Sequence, residues 1–246
     1  GMMPHENTAF GLIEDYLSVR PEKEAELKKL LRAGKLSAGP WYIMPDEFLV
    51  SGESLLRNLK LGITQAKALG VKTFCGYLPD TFGHSADMPD MLNQVGIETA
   101  IVWRGVNPEK NLFLWQSPSG QKALALHLTA GYFQMMLHDI DLSITEKAKA
   151  LEDLKTQLTQ KSEFSLPVLM PIGGDHLGSV SGADRSLLLK TLGDVSEGHP
   201  EQYMALLHKN ITDKNNVITE LPIISGELTD CTETFILPGV YSARLY

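Results

Sequence analysis

The sequence predicts an α/β protein with a mainly parallel β-sheet that helices cover on both faces. Helical patterns and short apolar runs alternate along most of the 246 residues, as in a chain built from strand–helix–strand units. The apolar runs contain few charged residues, which is typical of strands that are buried on both faces. Hydrophobic residues make up 43% of the chain, so one large domain with a sizeable core is expected.

Start and stop signals delimit the elements of the first half. Pro21 in a first turn and Gly34 just past a last turn mark one helix, and another helix from Ser51 to Gly70 carries its apolar residues on one face. The predicted order is a helix ending near Val19, a helix over Pro21–Ala33, a short strand over Gly39–Met44, the helix Ser51–Gly70, a strand over Val71–Tyr77, a helix over Met88–Val95 and a strand over Ile97–Trp103.

The second half continues the alternation with β-like stretches first. It shows no repeat, no low-complexity tract and no clear linker, so a single domain is predicted. The predicted elements are two β-like stretches at Leu112–Gln116 and Lys122–Leu128, a helix over Leu142–Gln160, a strand over Leu166–Ile172, helices over Ser186–Leu192 and Gln202–Asn210, and a strand over Leu221–Leu228.

Charge and cysteine usage restrict the classes of function. The net charge is −8 without a cluster of Lys and Arg, which argues against nucleic acid and anionic membranes as partners. No apolar run is long enough to span a membrane. Cys75 and Cys231 are far apart, and two free thiols in a reducing cytoplasm are favoured over a disulfide.

Three predicted strands end in polar residues, which are Asp80, Arg104 and the pair Asp175–His176. In parallel α/β sheets, ligands bind at the carboxyl ends of the strands. A retaining glycosidase needs one carboxylate as nucleophile and a second, protonated carboxyl about 5 Å away. An arginine beside the nucleophile would orient it and hold it ionised. These residue types at these positions therefore suit glycoside hydrolysis.

Each of these residues also has a structural interpretation that spacing alone does not exclude. The residues by themselves indicate an α/β enzyme with carboxylates and go no further. The structural alternatives are a turn at Asp80, a surface ion pair for Arg104, a loop at Asp175–His176, a structural histidine at His84, a core position for Trp41 and a solvated approach to a helix at Asp46–Glu47.

Longer motifs give the sequence a family resemblance. They occur in order and extend from about Ile13 to the end of the chain. They lie at Gly39–Leu55, at Tyr77–Ser85 followed by Met88–Pro89, at Trp103–Gly105, at Gly173–His176 and at Leu237–Arg244. Through these motifs the chain resembles family 38 of the glycoside hydrolases, the α-mannosidase family.

The resemblance implies a fold, a reaction and roles for particular residues. It implies an α/β barrel of seven parallel strands wrapped by helices, and zinc-assisted removal of α-linked mannose with retention of configuration. Asp80 is the implied nucleophile and zinc ligand, and Asp175 is the implied acid/base. Residues 1–236 would form the catalytic domain, and residues 237–246 would begin a following helical domain. The predicted substrate-binding residues are Arg104, Tyr132, Trp41 and His176.

The sequence departs from the family pattern at the metal site. The first barrel strand with its His-x-His-Trp-Asp motif is not found, and a further zinc-binding histidine would lie downstream of residue 246. Asp80 is then the only identifiable ligand, whereas a zinc site needs three or four. We therefore expect an incomplete barrel, weak or absent zinc binding, and an exposed sheet edge through which a homo-oligomer would form.

Three explanations of this departure remain open at this stage. The chain would be a truncated or split gene product or one with a misplaced start, a fragment of a longer protein, or a diverged binding module. The predicted function is an α-mannosidase-like retaining hydrolase acting on terminal α-linked mannose of oligosaccharides or glycoconjugates. The alternatives are a carbohydrate-binding remnant without activity and a hydrolase of another α-glycoside or a mannosyl conjugate.

Overall fold

A computed structural model describes residues 9–162, 167–174, 177–178, 180–193, 195–213 and 221–237. Within these ranges the predicted helices are present, whereas strands and helices alternate only from α3 to β2. The helices are α1 (Phe10–Val19), α2 (Glu24–Arg32), α3 (Gly52–Leu69), α4 (Met88–Gln94), α5 (Ile144–Lys161), α6 (Gly182–Leu192) and α7 (Pro200–Asp213). The strands are β1 (Gly76–Leu78), β2 (Thr99–Val102), β3 (Leu112–Gln116), β4 (Lys122–His127) and β5 (Ile223–Ser225), and single 3₁₀ turns lie at Pro21–Lys23 and Glu47–Leu49.

The strands form one sheet in the order β1-β2-β4-β3-β5. The pairs β1–β2, β2–β4 and β3–β5 are parallel, and β3–β4 is antiparallel. The α/β class and the mainly parallel sheet are therefore confirmed. The register places Leu78 opposite Val102, and Val102 opposite His127. The carboxyl ends of β1, β2 and β4 consequently lie side by side.

Helices cover both faces of the sheet, as predicted. Successive strand residues point to opposite faces, so Leu78 and Val102 belong to one core cluster, and Tyr77 and Ile101 to another. Residues of α3 and α4 pack on the first face, and residues of α7 pack on the second. No helix in the described part of the chain combines the length and the apolar character that crossing a membrane requires.

The prediction of a strand over Gly39–Met44 is wrong. The carbonyls of Trp41 and Tyr42 accept hydrogen bonds from the first N–H groups of α1, at 2.9 and 2.8 Å. The Asn58 side chain accepts from the N–H groups of Tyr42 and Ile43 and donates to the Ile43 carbonyl. These contacts satisfy the backbone without a strand partner. The segment lies close to α3, where a Cβ at Gly62 would stand 2.2 Å from the Pro40 carbonyl oxygen.

The predicted strand over Leu166–Ile172 is not formed in its described part. Leu166 lies outside the described residues, and residues 167–172 have no strand structure. Pro167 and Pro171 cannot donate to a ladder, which opposes strand pairing here. A single antiparallel bridge joins Gly173 to Gln134. Two other strands are shorter than predicted. Of the strand predicted over Val71–Tyr77 the sheet contains Gly76–Leu78, and of the strand predicted over Leu221–Leu228 it contains Ile223–Ser225.

Candidate active site

Asp80 and Arg104 meet at the carboxyl end of the sheet. Each lies two residues beyond the end of its strand, and the two strand ends are paired. The Nε of Arg104 donates a hydrogen bond of 2.6 Å to Oδ1 of Asp80. The Asp80 side chain is 41% exposed, whereas that of Arg104 is 13% exposed. The Asp80 carboxylate is therefore accessible to solvent, and a largely buried guanidinium forms an ion pair with it.

The guanidinium of Arg104 is fixed on three sides. Its Nη1 donates to the Phe235 carbonyl at 2.8 Å. Its central carbon lies 4.4 Å from the centroid of the Phe82 ring and 4.2 Å from that of the Trp103 ring. Stacking between two aromatic faces suits a planar guanidinium and not an ammonium. Arg104 can therefore hold the Asp80 carboxylate in one orientation.

An aromatic cluster lies beside the second oxygen of Asp80. Trp103, Tyr132 and Phe133 make mutual edge-to-face contacts, with ring centroids 5.0 to 5.9 Å apart. The Tyr132 hydroxyl lies 3.5 Å from Oδ2 of Asp80, which is the outer limit of a hydrogen bond. This weak contact leaves Oδ2 available to a ligand. Aromatic rings with one polar tip are suited to a ligand with both apolar and polar faces.

A segment near the end of the described chain, residues 228–235, crosses the loops that carry this site. We refer to it as the strap. Leu228 exchanges two backbone hydrogen bonds of 3.0 Å with His84, and the Asp230 N–H donates to the Gly105 carbonyl. Gly105 has φ +84°, and a Cβ there would stand 2.2 Å from the Leu228 carbonyl oxygen. Glycine directly after Arg104 is therefore required for the strap to reach the site.

Glu47 and His84 anchor the loop that follows Asp80. Both side chains are fully buried, and the His84 Nδ1 lies 2.8 Å from Oε1 of Glu47. The second oxygen of Glu47 accepts from the Ser85 N–H at 2.8 Å. The His84 ring also packs edge-on against Trp115. The contacts of His84 match its interpretation as a structural histidine. Glu47 is buried, so the interpretation of Glu47 as part of a solvated approach to a helix is wrong.

His127 lies at the end of β4, level with Val102 of β2. Its side chain is buried, and burial is the largest cause that lowers the pKa of the imidazole to about 4. The nearby charge of Lys161 lowers it further, while the Trp103 backbone opposes part of the change. Neither ring nitrogen makes a hydrogen bond of ordinary geometry within the described residues. His127 is therefore a neutral buried group beside the site.

Three of the other predicted site residues are not placed in this site. Asp175 and His176 lie outside the described residues. Trp41 is 1% exposed, and its indole N–H donates to the Tyr77 carbonyl at 3.1 Å. That geometry gives the Trp41 indole no surface on which a sugar would rest, and it matches the core interpretation. Trp41 instead supports the strand that leads to Asp80.

The residues around Asp80 do not fit a zinc site. Across the described ranges, no three side chains of His, Cys, Asp or Glu come together in a group that would hold a metal ion. The positive group beside Asp80 is the Arg104 guanidinium. The described part of the site therefore offers Asp80 without two further ligands beside it, and weak zinc binding stays a prediction.

Sequence reasoning missed several residues that shape the site. Phe82 lies inside the motif that includes Asp80, and Phe133 follows Tyr132, so aromatic residues next to predicted site residues were a usable signal. Phe235 contributes only its backbone carbonyl, from 131 positions downstream of Arg104. No local pattern would have indicated that contact.

Two solved structures with similar folds are described as an α-mannosidase and a 4-alpha-glucanotransferase. An α-mannosidase from Enterococcus faecalis V583 matches with a TM-score of 0.74 and 26% identity, over 89% of this chain and 25% of that one. The 4-alpha-glucanotransferase from Thermococcus litoralis matches with a TM-score of 0.55 and 14% identity, over 80% of this chain and 31% of that one. The second likeness shows the fold alone.

Sequence comparison gives the family. The family model described as "Glycosyl hydrolases family 38 N-terminal domain" matches residues 8–226. The chain belongs to this family of glycosidases, as the motifs predicted. A putative mannosylglycerate hydrolase of Halalkalibacterium halodurans is 32% identical over 96% of this chain and 28% of its own length. Alpha-mannosidase 2 of Spodoptera frugiperda is 38% identical over 34% of this chain and 8% of its own length. The chain thus spans under a third of the length of these relatives.

Proposed function

We propose that this chain is the catalytic domain of a retaining glycosidase that releases terminal α-linked mannose from oligosaccharides or glycoconjugates. One observation carries the proposal, namely that Asp80 and Arg104 pair at adjacent strand ends with the carboxylate open to solvent. Relatives named as α-mannosidases supply the sugar class.

Asp80 acts as the nucleophile in the proposed reaction. Its Oδ2 attacks the anomeric carbon while Arg104 holds Oδ1, and the bond from that carbon to the leaving oxygen breaks. The leaving oxygen takes a proton from a carboxylic acid. Water then attacks the anomeric carbon, gives its proton to that same carboxylate and breaks the ester to Asp80. Two displacements at one carbon retain the configuration.

Several predictions that the described residues do not test enter the proposal. We propose Asp175 as the carboxylic acid, with His176 and Tyr132 in contact with substrate. We propose residues 1–236 as the catalytic domain, with residues 237–246 beginning the next one. A reducing, cytoplasmic location is supported by two unpaired cysteines, Cys75 and Cys231. Self-association through an exposed sheet edge and weak zinc binding remain predictions.

A second candidate substrate class is suggested by the relative from Halalkalibacterium halodurans. That protein is named as a putative mannosylglycerate hydrolase, and it is similar to nearly the whole of this chain. A mannosyl conjugate with an anionic leaving group would use the same nucleophile and the same sugar contacts. Only the leaving group would differ. Hydrolysis assays with two α-mannosides, one with a sugar and one with an anionic leaving group, would therefore distinguish the two substrate classes.

The proposal is tested by trapping the glycosyl-enzyme. A fluorinated mannosyl fluoride forms a covalent ester with the nucleophile that hydrolyses slowly. We expect peptide mass spectrometry to place one mannosyl adduct on Asp80, together with hydrolysis of aryl α-mannoside. Aryl α-glucoside measured in parallel tests the sugar class.

Matched carboxamide variants provide the control. Asp80→Asn should abolish both the adduct and turnover. Asp87→Asn, which changes an exposed carboxylate seven residues further along the chain, should leave both intact. Labelling of a different carboxylate, or full turnover by Asp80→Asn, would refute the assignment of the nucleophile. Sugar binding without adduct or turnover would favour the carbohydrate-binding alternative.

A further inference from the structure

A buried carboxyl group that the proposed reaction does not use lies in the first turn of α7. It belongs to Glu201, which is 8% exposed. One of its oxygens accepts a hydrogen bond of 2.8 Å from the Ser37 hydroxyl, in the segment that follows α2. The other oxygen, Oε2, makes no hydrogen bond within the described residues. Buried polar atoms are nearly always paired, so the unpaired Oε2 calls for a physical explanation.

The surroundings of Glu201 favour a protonated carboxyl group. Burial is the largest cause that raises its pKa, and its own backbone N–H, the Ser37 hydroxyl and the charge of His199 oppose this change. Cys75, which directly precedes β1, is buried as well, and burial followed by the Glu201 charge raises the pKa of its thiol. Ionisation of Glu201 would therefore bury a charge at a site where one carboxyl oxygen has no donor, which is costly.

Two histidines are the other titratable groups that connect α7 and the turn before it to neighbouring segments. The Nε2 atom of His199 lies 3.0 Å from the Gly34 carbonyl oxygen, just after α2. His208, further along α7, lies 3.8 Å from the exposed carboxylate of Glu98, just before β2. Protonation of His208 would strengthen that ion pair at low pH, so a test of Glu201 has to separate the two effects.

The docking of α7 supports the sheet beneath the candidate active site. Residues of α7 share one core cluster with Tyr77 and Ile101 of neighbouring strands. Trp103 and Tyr132 of the aromatic cluster beside Asp80 pack against the same core cluster. Loosening the start of α7 would therefore weaken one side of the core on which these aromatic residues rest.

We propose that Glu201 forms a pH-sensitive contact, which holds the start of α7 against the Ser37 segment and Cys75 only while its carboxyl group is protonated. When Glu201 ionises, opening of this contact hydrates the carboxylate, so the open state gains population. The docked state binds the proton more tightly than the open state, because its pKa is raised. Docking is therefore strongest at low pH and weakens as pH rises through the raised pKa. This inference does not depend on the proposed reaction.

The two cysteines of the chain allow a direct measurement. Cys75 is buried near Glu201, whereas Cys231 is exposed on the strap. Alkylation with N-ethylmaleimide, followed by peptide mass spectrometry, gives the ratio of the two labelling rates at about pH 5 and at about pH 8, both above the ordinary carboxyl pKa. Cys231 is the internal reference for the effect of pH on thiol reactivity. Hydrogen exchange of the α7 amides reports opening of the helix under the same conditions.

We expect the Cys75-to-Cys231 labelling ratio to rise about tenfold from the lower to the higher pH, together with faster exchange at the start of α7. Glu201→Gln cannot ionise, so its ratio should be the same at both pH values. Glu152→Gln changes an exposed carboxyl group on α5 and should match the parent. Ser37→Ala removes a donor that stabilises the ionised form, so its ratio should rise by more than that of the parent.

A parent ratio that is equal at the two pH values would overturn the inference, whether or not the variants fold. A pH response that persists in Glu201→Gln would overturn it too. If that response then disappears in His208→Gln, it belongs to the ion pair with Glu98 instead. A response that Glu201→Gln loses and His208→Gln keeps is the result we expect.

Discussion

Replacing Glu47 by alanine should destabilise the loop that carries Asp80. The substitution removes the acceptor for the His84 ring and for the Ser85 N–H, both at 2.8 Å in a buried setting. The other ring nitrogen of His84 already lacks a partner in the described structure. Each buried donor left unpaired costs about 1–3 kcal/mol, so the loss in free energy of unfolding is about 4 kcal/mol. For a chain of this length that corresponds to a fall in Tm of about 10 °C.

Differential scanning calorimetry of three variants tests this reasoning. Glu47→Gln keeps one acceptor oxygen and should lose about half as much as Glu47→Ala. Glu53→Ala breaks only an exposed ion pair with Arg57 and should stay within about 1 °C of the parent. The buried anchor is refuted if Glu47→Ala unfolds within about 2 °C of Glu53→Ala.

Three further predictions concern the site and its surroundings. Gly105→Ala should lower Tm by several degrees in a thermal melt, because its Cβ would meet the Leu228 carbonyl at 2.2 Å in a left-handed conformation. The pKa of His127 is lowered to about 4 in the fold, so the unfolded chain binds more protons between about pH 4 and 6.5, and stability should fall as pH drops through that window. In denaturant titrations, His127→Gln should remove about 3 kcal/mol of the loss in free energy of unfolding between pH 6.5 and pH 4. The raised pKa of Glu201 makes stability rise as pH falls, and the variant keeps this opposite contribution. Arg104→Lys should reduce kcat/KM for aryl α-mannoside roughly 100-fold with little change in Tm, because an ammonium keeps the charge and loses the fixed orientation.

Local signals were sufficient for most helices and for the central strands. The helix α3 begins where the Ser51 hydroxyl accepts from the Ser54 N–H and ends at Gly70 with φ +106°, both readable from residue types. The segment at Gly39–Met44 was mistaken for a strand because its partners come from elsewhere. Asn58 and the start of α1 satisfy its backbone, and a single sequence carries no sign of that arrangement.

In the candidate site, too, some residues were predictable from the sequence and others were not. Asp80 and Arg104 were found because parallel strands bring their carboxyl ends together, and position after a strand is visible in the sequence. Burial of Trp41 was not visible, since an aromatic residue suits both a core and a sugar pocket. The contact of Arg104 with Phe235 depends on a long-range backbone carbonyl, to which residue type contributes nothing.

The strap also sets when the site assembles during synthesis. Arg104 and Phe235 are 131 positions apart. At roughly 5–20 residues per second, a ribosome needs about 7 to 26 s to add the intervening residues. Until then the Arg104 guanidinium lacks the Phe235 carbonyl as a hydrogen-bond acceptor. Arg104 therefore does not yet hold the Asp80 carboxylate in one orientation. Strands β1 to β4 could thus pair before β5 and the strap are made, and the nucleophile would gain its fixed orientation only once residue 235 is available.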